Sequence, residues 1–490
     1  MNHNSSQNHT VVTRFAPSPT GFMHIGGVRT ALFAYLYAKK MKGTFILRIE
    51  DTDKEREIVG SVDHIQESLR WLGITWDYGP ENAGPYGSCI QSERLPIYLK
   101  YARQLIEKGL AYPDPYTPTE VAAFKEAAIA NNRPFLIREH RPEVFETWDG
   151  TKPLRLKVPE IKRYTWTDVT RGELSAGPES LDDVVLIKSD GYPTYNFAHI
   201  IDDLEMGVTH IMRADEFISS MPKFLSIYDA LGIPYPRFVT LPPILRDDRT
   251  RKLGKRDGAK DILEYRTEGY LPSAMMNFLA LTGWNPGTEQ EVFTPEELIN
   301  TFDISKIQRA GAVFNEDKLI WMNRQHLSLL SPSEFSGYIT PTLTEAFVTA
   351  PQFNSETVIR LISTIRERIN TLTEFKTEIE NGEYDFAFIS PVFDISILQW
   401  KNDESLTQVK PRLEQALELL KSADWSKPSS IKEALWSYAE EVGKGELLWP
   451  LRVCLSGKIK SPDPFTLAYI IGQVETLSRI KDVCNKIGEK

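Results

Sequence analysis

The segment RFAPSPTGFMHIGGVRT, from Arg14 to Thr30, crowds Pro17, Pro19, Gly21, Gly26 and Gly27 around a single histidine, His24. Small residues and prolines let a rigid backbone come close to a ligand, and the free N–H groups at a helix start suit a phosphate. His24 stands just ahead of such a helix, where its ring can donate to a phosphate oxygen. A second stretch, Lys252-Leu253-Gly254-Lys255-Arg256, sets two lysines three apart around a glycine. Cations so placed can meet the charge that develops on a phosphate during transfer. Taken singly, the first stretch reads equally as a plain turn, and the second as a solvated charge run.

The elements that must hold these residues are legible around them. VVTRFA (11–16) is a short β-prone run that stops at Pro17, whose missing N–H ends ladder pairing. GVRTALFAYLYAKKMKG puts Val28, Ala31, Leu32, Tyr35 and Leu36 on one helical face and closes on lysines before Gly43. TFILRIEDTD then reads as a strand ending at Glu50. Such a β-turn-α-β unit belongs in a parallel sheet, where ligands sit outside the carboxyl ends of the strands. The Pro/Gly turn and Glu50-Asp51 therefore fall at a binding site.

Further helices are expected at 62–72 and 93–108, and AYPDPYTP (111–118) breaks the pattern. PLRLKVPE, YTWTDVTRGEL and DDVVLIKSDGYPTYNF read as strands of an insertion, and sheet patterning resumes at GVTHIMRADEF (207–217) and RFVTLPPIL (237–245). From about 261 the chain reads as helical, with amphipathic periods at 358–375 and 406–423.

At 490 residues the chain is too long for one core, and roughly 100–200 residues per domain predicts about three to five. A 41% hydrophobic and 25% charged composition is that of an ordinary globular protein. The net charge of −10 argues against coating nucleic acid by bulk electrostatics and leaves open a local basic face. Cys89, Cys454 and Cys484 are too far apart for a C-x-x-C metal site and odd in number, so a reducing compartment fits best. MNHNSSQNHTVVT has neither Lys nor Arg nor an apolar run, which argues against a secretory or transit signal. No stretch approaches the roughly 18 apolar residues of a membrane helix.

Together the two phosphate-facing stretches resemble the signatures of the class I aminoacyl-tRNA synthetases. His24-Ile25-Gly26-Gly27 is similar to their first, usually His-Ile-Gly-His, and Lys252-Leu253-Gly254-Lys255-Arg256 to their second, usually Lys-Met-Ser-Lys-Ser. The lead-in Arg14-Phe15-Ala16-Pro17-Ser18-Pro19-Thr20-Gly21 resembles the glutamyl-tRNA synthetases, since the glutaminyl branch usually has a Pro-Glu-Pro-Asn form there. The likeness continues through Arg48-Ile49-Glu50-Asp51-Thr52-Asp53, 188–195, Ile211-Met212-Arg213, Trp321-Met322-Asn323 and Pro450-Leu451-Arg452-Val453.

That resemblance implies an ATP-dependent ligase that forms glutamyl-adenylate and passes glutamate to the 3′-terminal adenosine of tRNA(Glu). It implies an α/β fold: a Rossmann-like parallel-sheet catalytic domain in two halves (11–110 and 196–245) after a disordered start (1–10). An inserted α/β acceptor-binding domain (111–195), a stem-contact domain with the KLGKR loop (246–330) and an all-α anticodon-binding region (331–490) complete it. By resemblance His24, Gly26 and Gly27 hold ATP phosphates, Lys252 and Lys255 stabilise pyrophosphate, and Mg2+ arrives with ATP. Arg14, Arg213 and Tyr195 match the residues for the substrate's side-chain carboxylate, and Glu50 with Ala16 and Ser18 those for its ammonium group. Arg368, on the expected helix at 358–375, matches the residue that reads the third anticodon base.

Without the resemblance, Arg213 reads as a brace on Asp215 and Glu50 as a partner of Arg48 or a nearby lysine. Gly254 departs from the usual serine, and Tyr112-Pro113-Asp114-Pro115-Tyr116 offers no thiol where many relatives bind zinc, so no zinc is expected. The partners expected are tRNA(Glu), L-glutamate and ATP, for a cytoplasmic monomer with no membrane contact. A glutamyl transferase to a modified tRNA base and a non-catalytic RNA-binding paralogue are the competing readings. The helical region 331–490 speaks against the first, and the intact His24, Lys252 and Lys255 against the second.

Overall fold

The computed structural model of the chain describes residues 10–249, 251–254, 260–343, 345–350, 353–366, 368–401 and 403–488. The disordered start expected for 1–10 lies outside the described residues except at Thr10, and Lys255 lies outside them too. The chain divides into two compact units, Met1–Arg266 with Pro272–Leu319, and Thr267–Leu271 with Ile320–Lys490.

The first unit contains the strands β1 (Val12–Phe15), β2 (Thr44–Leu47), β3 (Ala111–Pro113), β4 (Leu154–Leu156), β5 (Tyr164–Asp168), β6 (Gly172–Ala176), β7 (Val185–Ile187), β8 (His210–Ala214) and β9 (Arg237–Leu241). One sheet runs β2-β1-β8-β9-β5-β6. Its first five strands are parallel and β6 returns antiparallel to β5. Helices α1 (Ile25–Lys40), α2 (Ser61–Trp71), α3 (Leu95–Glu107), α4 (Pro118–Ala130), α5 (Tyr195–Glu205) and α6 (Met221–Leu231) accompany the strands of this unit.

All of β1 is buried, so Thr13 and Arg14 need partners inside; the Thr13 hydroxyl donates to the Ala34 carbonyl at 2.8 Å. Helix α1 buries the predicted face and also Phe33, Ala34 and Ala38, and Lys39 and Lys40 lie in its last turn, where the helix dipole favours cations.

Three expectations are corrected. Strand β2 ends at Leu47 rather than Glu50, although the Arg48 and Glu50 N–H groups still donate to the Phe15 and Pro17 carbonyls at 2.9 and 3.0 Å while Ile49 bridges Ile90 on the other side. The strands expected to form one insertion divide: β3, β4 and β7 make a separate three-stranded sheet, whereas β5 and β6 extend the large one. Strand β5 alternates buried Tyr164, Trp166 and Asp168 with exposed threonines, so it has one face to bury, and Asp168 accepts from Thr240 on β9 at 2.7 Å. Helix α4, unanticipated, buries no side chain and so carries no apolar period; Pro118 and the Thr117–Glu120 capping box start it.

The second unit is helical among its described residues, with helices Ser355–Arg366, Leu372–Glu380, Val409–Lys421, Pro428–Val442, Lys444–Ser456 and Pro464–Gly488. The single helix expected through 358–375 is thus corrected to two. The Asn370 N–H donates to the Glu374 carboxylate at 2.6 Å, and the Thr371 hydroxyl caps the second helix by accepting from the Glu374 N–H. Buried Asn323 accepts from the Leu271 N–H at 2.8 Å and donates to the Asn370 carbonyl at 2.6 Å, fixing that break. No helix among the described residues is long and apolar enough to cross a membrane.

Buried histidines make stability pH-dependent. Burial and then Arg237 hold His210 down to about 4, burial alone holds His326 at about 4, and burial with Arg213 keeps His199 well below its ordinary value. Their folded pKa values lie below 6.5, so the unfolded chain binds more protons between about pH 6.5 and 4, and stability must fall as pH drops through that window. Thermal melts should therefore show midpoints that decline from pH 7 to pH 5. His326→Gln should flatten that decline for the helical unit; an unchanged slope would count against it.

Candidate active site

The carboxyl ends of β1 and β8 bring Arg14 and Arg213 to a cavity of about 290 Å3. It is also lined by Ala16, His24, Gly26, Gly27, Glu50, Tyr195 and Lys252, so the structure unites these nine predicted residues. Ser18 lines an adjoining cleft of about 790 Å3 that shares Glu50 and Tyr195 with the first cavity.

The phosphate-facing end rests on the start of α1. His24 is the N-cap, with extended backbone, and its Nδ1 accepts from the Gly26 N–H at 3.1 Å. That bond puts the ring proton of a neutral His24 on Nε2. A Cβ on Gly26 would stand 3.0 Å from His24 Cε1, so glycine is what lets the ring fold back over the turn. Buried Arg29, one turn on, donates to the carbonyls of Thr282 and Pro242 and so ties α1 to the far wall of the cavity. Burial lowers its pKa to about 10, with Asp215 opposing, and it stays a cation.

Lys252 sits on a short hairpin in which Leu253 N–H donates to the Ile244 carbonyl at 2.8 Å. Its ammonium meets Asp215 at 2.6 Å and Glu216 at 3.1 Å. The phosphate role expected of Lys252 would require it to exchange these carboxylates for phosphate oxygens.

At the other end of the cavity lies a buried ion network. Arg14 forks onto Asp203, Nε to Oδ1 at 3.1 Å and Nη2 to Oδ2 at 3.4 Å, and its Nη1 donates to the Met212 carbonyl at 3.5 Å. Arg48, fully buried, donates to Asp203 at 2.7 Å and to Glu50 at 2.9 Å. Burial would discharge Arg48, but Asp203, Glu50 and Asp202 hold its pKa well above the usual range. Asp203 is likewise pushed up by burial and pulled well below the carboxylate range by Arg14 and Arg48. Glu50 goes the other way: burial raises its pKa and outweighs the two arginines. Beneath it, Asp202 accepts from Arg94, Gln91 and Tyr98, each at 2.8 Å.

Arg213 differs from its neighbours. It is 8% exposed, its guanidinium lies 5.1 Å from the Phe217 ring centre and 5.3 Å from that of Phe224, and its Nη2 has no hydrogen-bond partner. Among the described residues it makes no ion pair, since Asp215 is taken by Lys252. The brace on Asp215 is therefore not what the structure shows, whereas the Glu50–Arg48 pair is present. Tyr195 starts α5 and its phenol is held protonated by burial, so it can donate.

Sequence reasoning missed Arg48, Asp203, Arg29 and His199 as parts of the site. Arg48 and Glu50 are two apart and so share a face of an extended segment, which was a usable signal. Asp203 has no local signal, because its partners are 189 and 155 residues away. His199 is buried one turn after Tyr195, stacks on its ring at 4.7 Å and bonds its carbonyl through Nδ1 at 2.7 Å.

Within the second unit, Arg368 is exposed and lies in the turn after the helix that ends at Arg366, correcting its expected place on a helix. Arg366 donates to the Ser328 carbonyl and is tied to its own unit. In the first unit, Asp114 of the thiol-free turn is bound by Arg155 at 2.6 Å.

Comparisons with known proteins show which family the chain resembles. The model of the catalytic domain of the class I tRNA synthetases (E and Q) matches residues 10–321, and an anticodon binding domain matches 334–484. A glutamate–tRNA ligase of Clostridium novyi is 40% identical over 98% of each chain, and that of Clostridium tetani is 39% identical over 96% of each. The crystal structure of a glutamate tRNA ligase from Elizabethkingia meningosepticum in complex with its amino acid superposes with a TM-score of 0.81 at 36% identity, covering 98% of this chain and 100% of that one. The glutamate-tRNA synthetase of Elizabethkingia anophelis gives 0.77 at 35%, covering 97% and 100%. With a cavity built on the two signatures and likeness along almost its whole length, the chain belongs to the glutamate–tRNA ligases of class I.

Proposed function

We propose that the 290 Å3 cavity holds L-glutamate against the α-phosphate of ATP, and that the residues named above divide the work of making glutamyl-adenylate and then glutamyl-tRNA(Glu). The observation that carries this reading is Arg213: a buried guanidinium with an unpartnered nitrogen and, among the described residues, no carboxylate of its own. Leaving such a group unpaired costs free energy that a substrate carboxylate recovers on binding. Glutamine, nearly the same shape, brings no charge to it.

Arg14 spends three of its five N–H donors on Asp203 and Met212, leaving one on each terminal nitrogen for the same substrate carboxylate. Tyr195 adds a neutral hydroxyl, and Glu50, Ala16 and Ser18 receive the ammonium group. So oriented, the substrate α-carboxylate attacks the α-phosphorus and pyrophosphate leaves. His24 and the Gly26-Gly27 backbone position the phosphates, and Lys252 and Lys255 offset the charge that builds on the leaving group. A terminal ribose hydroxyl of the tRNA then displaces AMP from the acyl carbon. No enzyme nucleophile is required.

The same reading takes Mg2+ as part of the ATP complex; among the described residues no group of three or more His, Cys, Asp and Glu side chains is placed to hold a metal. It assigns no zinc, since the turn at 112–116 has no thiol and Asp114 is committed to Arg155. It assigns 111–195 to the acceptor end, 246–330 to the stem and 331–490 to the anticodon, in a cytoplasmic monomer whose substrate residues all come from one chain. The anticodon-domain match at 334–484 favours whole-tRNA charging over transfer to a single modified base. Aminoacylation of purified tRNA(Glu) and tRNA(Gln), side by side, tests the reading, and pyrophosphate exchange should be run with tRNA present.

Arg213→Ala should lower adenylate formation by about 30-fold or more, corresponding to roughly 2–5 kcal/mol for leaving a buried charge unpaired. Arg14→Lys, which keeps the charge and loses the fork, should cost less. Near-wild-type rates in both variants would remove these residues from the pocket.

Lys252→Ala and Lys255→Ala should lower kcat much more than they raise the KM for glutamate, because their charge is needed as pyrophosphate separates. An effect confined to glutamate binding would place them elsewhere.

Arg368→Gln should relax the preference for an anticodon ending in C over one ending in G, by roughly 1–3 kcal/mol of discrimination, without changing ATP or glutamate binding. An unchanged ratio of charging efficiencies would mean that Arg368 does not read the base.

A further inference from the structure

The large sheet carries a second cavity, of about 610 Å3, at the opposite, amino ends of its strands. Thr209, His210 and Arg237 line it from the starts of β8 and β9, Tyr37 from the end of α1, and Tyr228 and Tyr235 from the end of α6 and the turn after it. Its size is that of a small-molecule site, and none of these six residues borders the substrate cavity.

Its walls are aromatic. Tyr37 packs edge-on against His210 at 4.8 Å, and Tyr228 against Tyr235 at 5.6 Å, presenting ring faces and edges suited to another flat ring. Its polar atoms are mostly uncharged and satisfied: His210 meets Thr209 Oγ1 at 2.9 Å and the Tyr37 hydroxyl at 3.3 Å, and its low pKa keeps it neutral. The Tyr228 hydroxyl is the exception, buried without a hydrogen-bond partner.

Two lining residues are fully charged. Asp203 is spent on Arg14 and Arg48, whereas Arg237, at the rim and exposed, makes no ion pair among the described residues. An aromatic slot with one free cation at its edge selects a flat ring carrying one negative group. We propose that this second cavity binds a small planar aromatic acid, its ring packed among Tyr37, Tyr228 and Tyr235 and its carboxylate on Arg237. The proposal does not rest on the glutamate reading: the two cavities have no lining residue in common, and only Asp203 of this wall reaches the other site, through Arg14.

Indole-3-acetate is the probe and indole the uncharged control, titrated into the full chain with 13C-methyl methionine. Met41 lines this cavity, and Met212 lines the substrate cavity. The expected result is saturable binding of indole-3-acetate that shifts the Met41 methyl and leaves Met212 in place. Binding should weaken about tenfold or more in Arg237→Glu and stay within about threefold in Arg237→Lys. Arg237 is exposed, so these variants should retain the fold. Indole should bind more weakly than the acid and be indifferent to Arg237→Glu. Absence of binding to the wild-type chain, binding unaffected by Arg237→Glu, or a shift of Met212 without Met41 would each overturn the proposal.

Discussion

Two arginines share the Asp203 carboxylate inside the catalytic unit, and the substrate cavity takes its form from that sharing. A charge moved out of water costs several kcal/mol unless it is paired and hydrogen-bonded. Here Arg14, Arg48 and Arg94 are set against Glu50, Asp202 and Asp203, three cations against three carboxylates, with contacts from 2.7 to 3.8 Å. The set is balanced within itself and fixes the Glu50 carboxylate without exposing it. Arg213 is the cation left over. On the proposed reading, glutamate would bring a negative group to Arg213 and a positive one to Glu50, completing that charge pattern.

The phosphate end of the site obeys a different economy. It is made by backbone geometry at one helix start, where His24 turns back onto the Gly26 N–H and Gly26 leaves room for it. Lys252 is held on a hairpin beside Asp215 and Glu216, which raise its pKa against the effect of burial and keep its ammonium at the cavity wall.

What the sequence disclosed follows this division. His24, Gly26 and Gly27 were legible because a cap and a close backbone approach are local, written within four residues. Glu50 was placed by topology, since the end of a parallel strand is a ligand position before any partner is known. Asp203 was illegible, because its meaning depends on β1 and the chain after β2 meeting the end of α5. The division of residues 111–195 between two sheets was hidden for the same reason: β5 alternates like any half-buried strand, and nothing in YTWTD names the strand it will pair with. Arg368 was misplaced because the apolar period runs on through 358–375 while Asn323, Asn370 and Thr371 break the backbone.

Helix α5 carries Tyr195 in its first turn and Asp203 eight residues later. Eight residues at 3.6 per turn is slightly more than two turns, so both side chains lie near one face, about 12 Å apart along the axis. The helix acts as a ruler with a fixed phase. One residue added or removed between 195 and 203 would swing one side chain about 100° relative to the other. It would separate the hydroxyl at the cavity from the carboxylate that anchors its arginines. Between 195 and 203 the chain length is set by that phase.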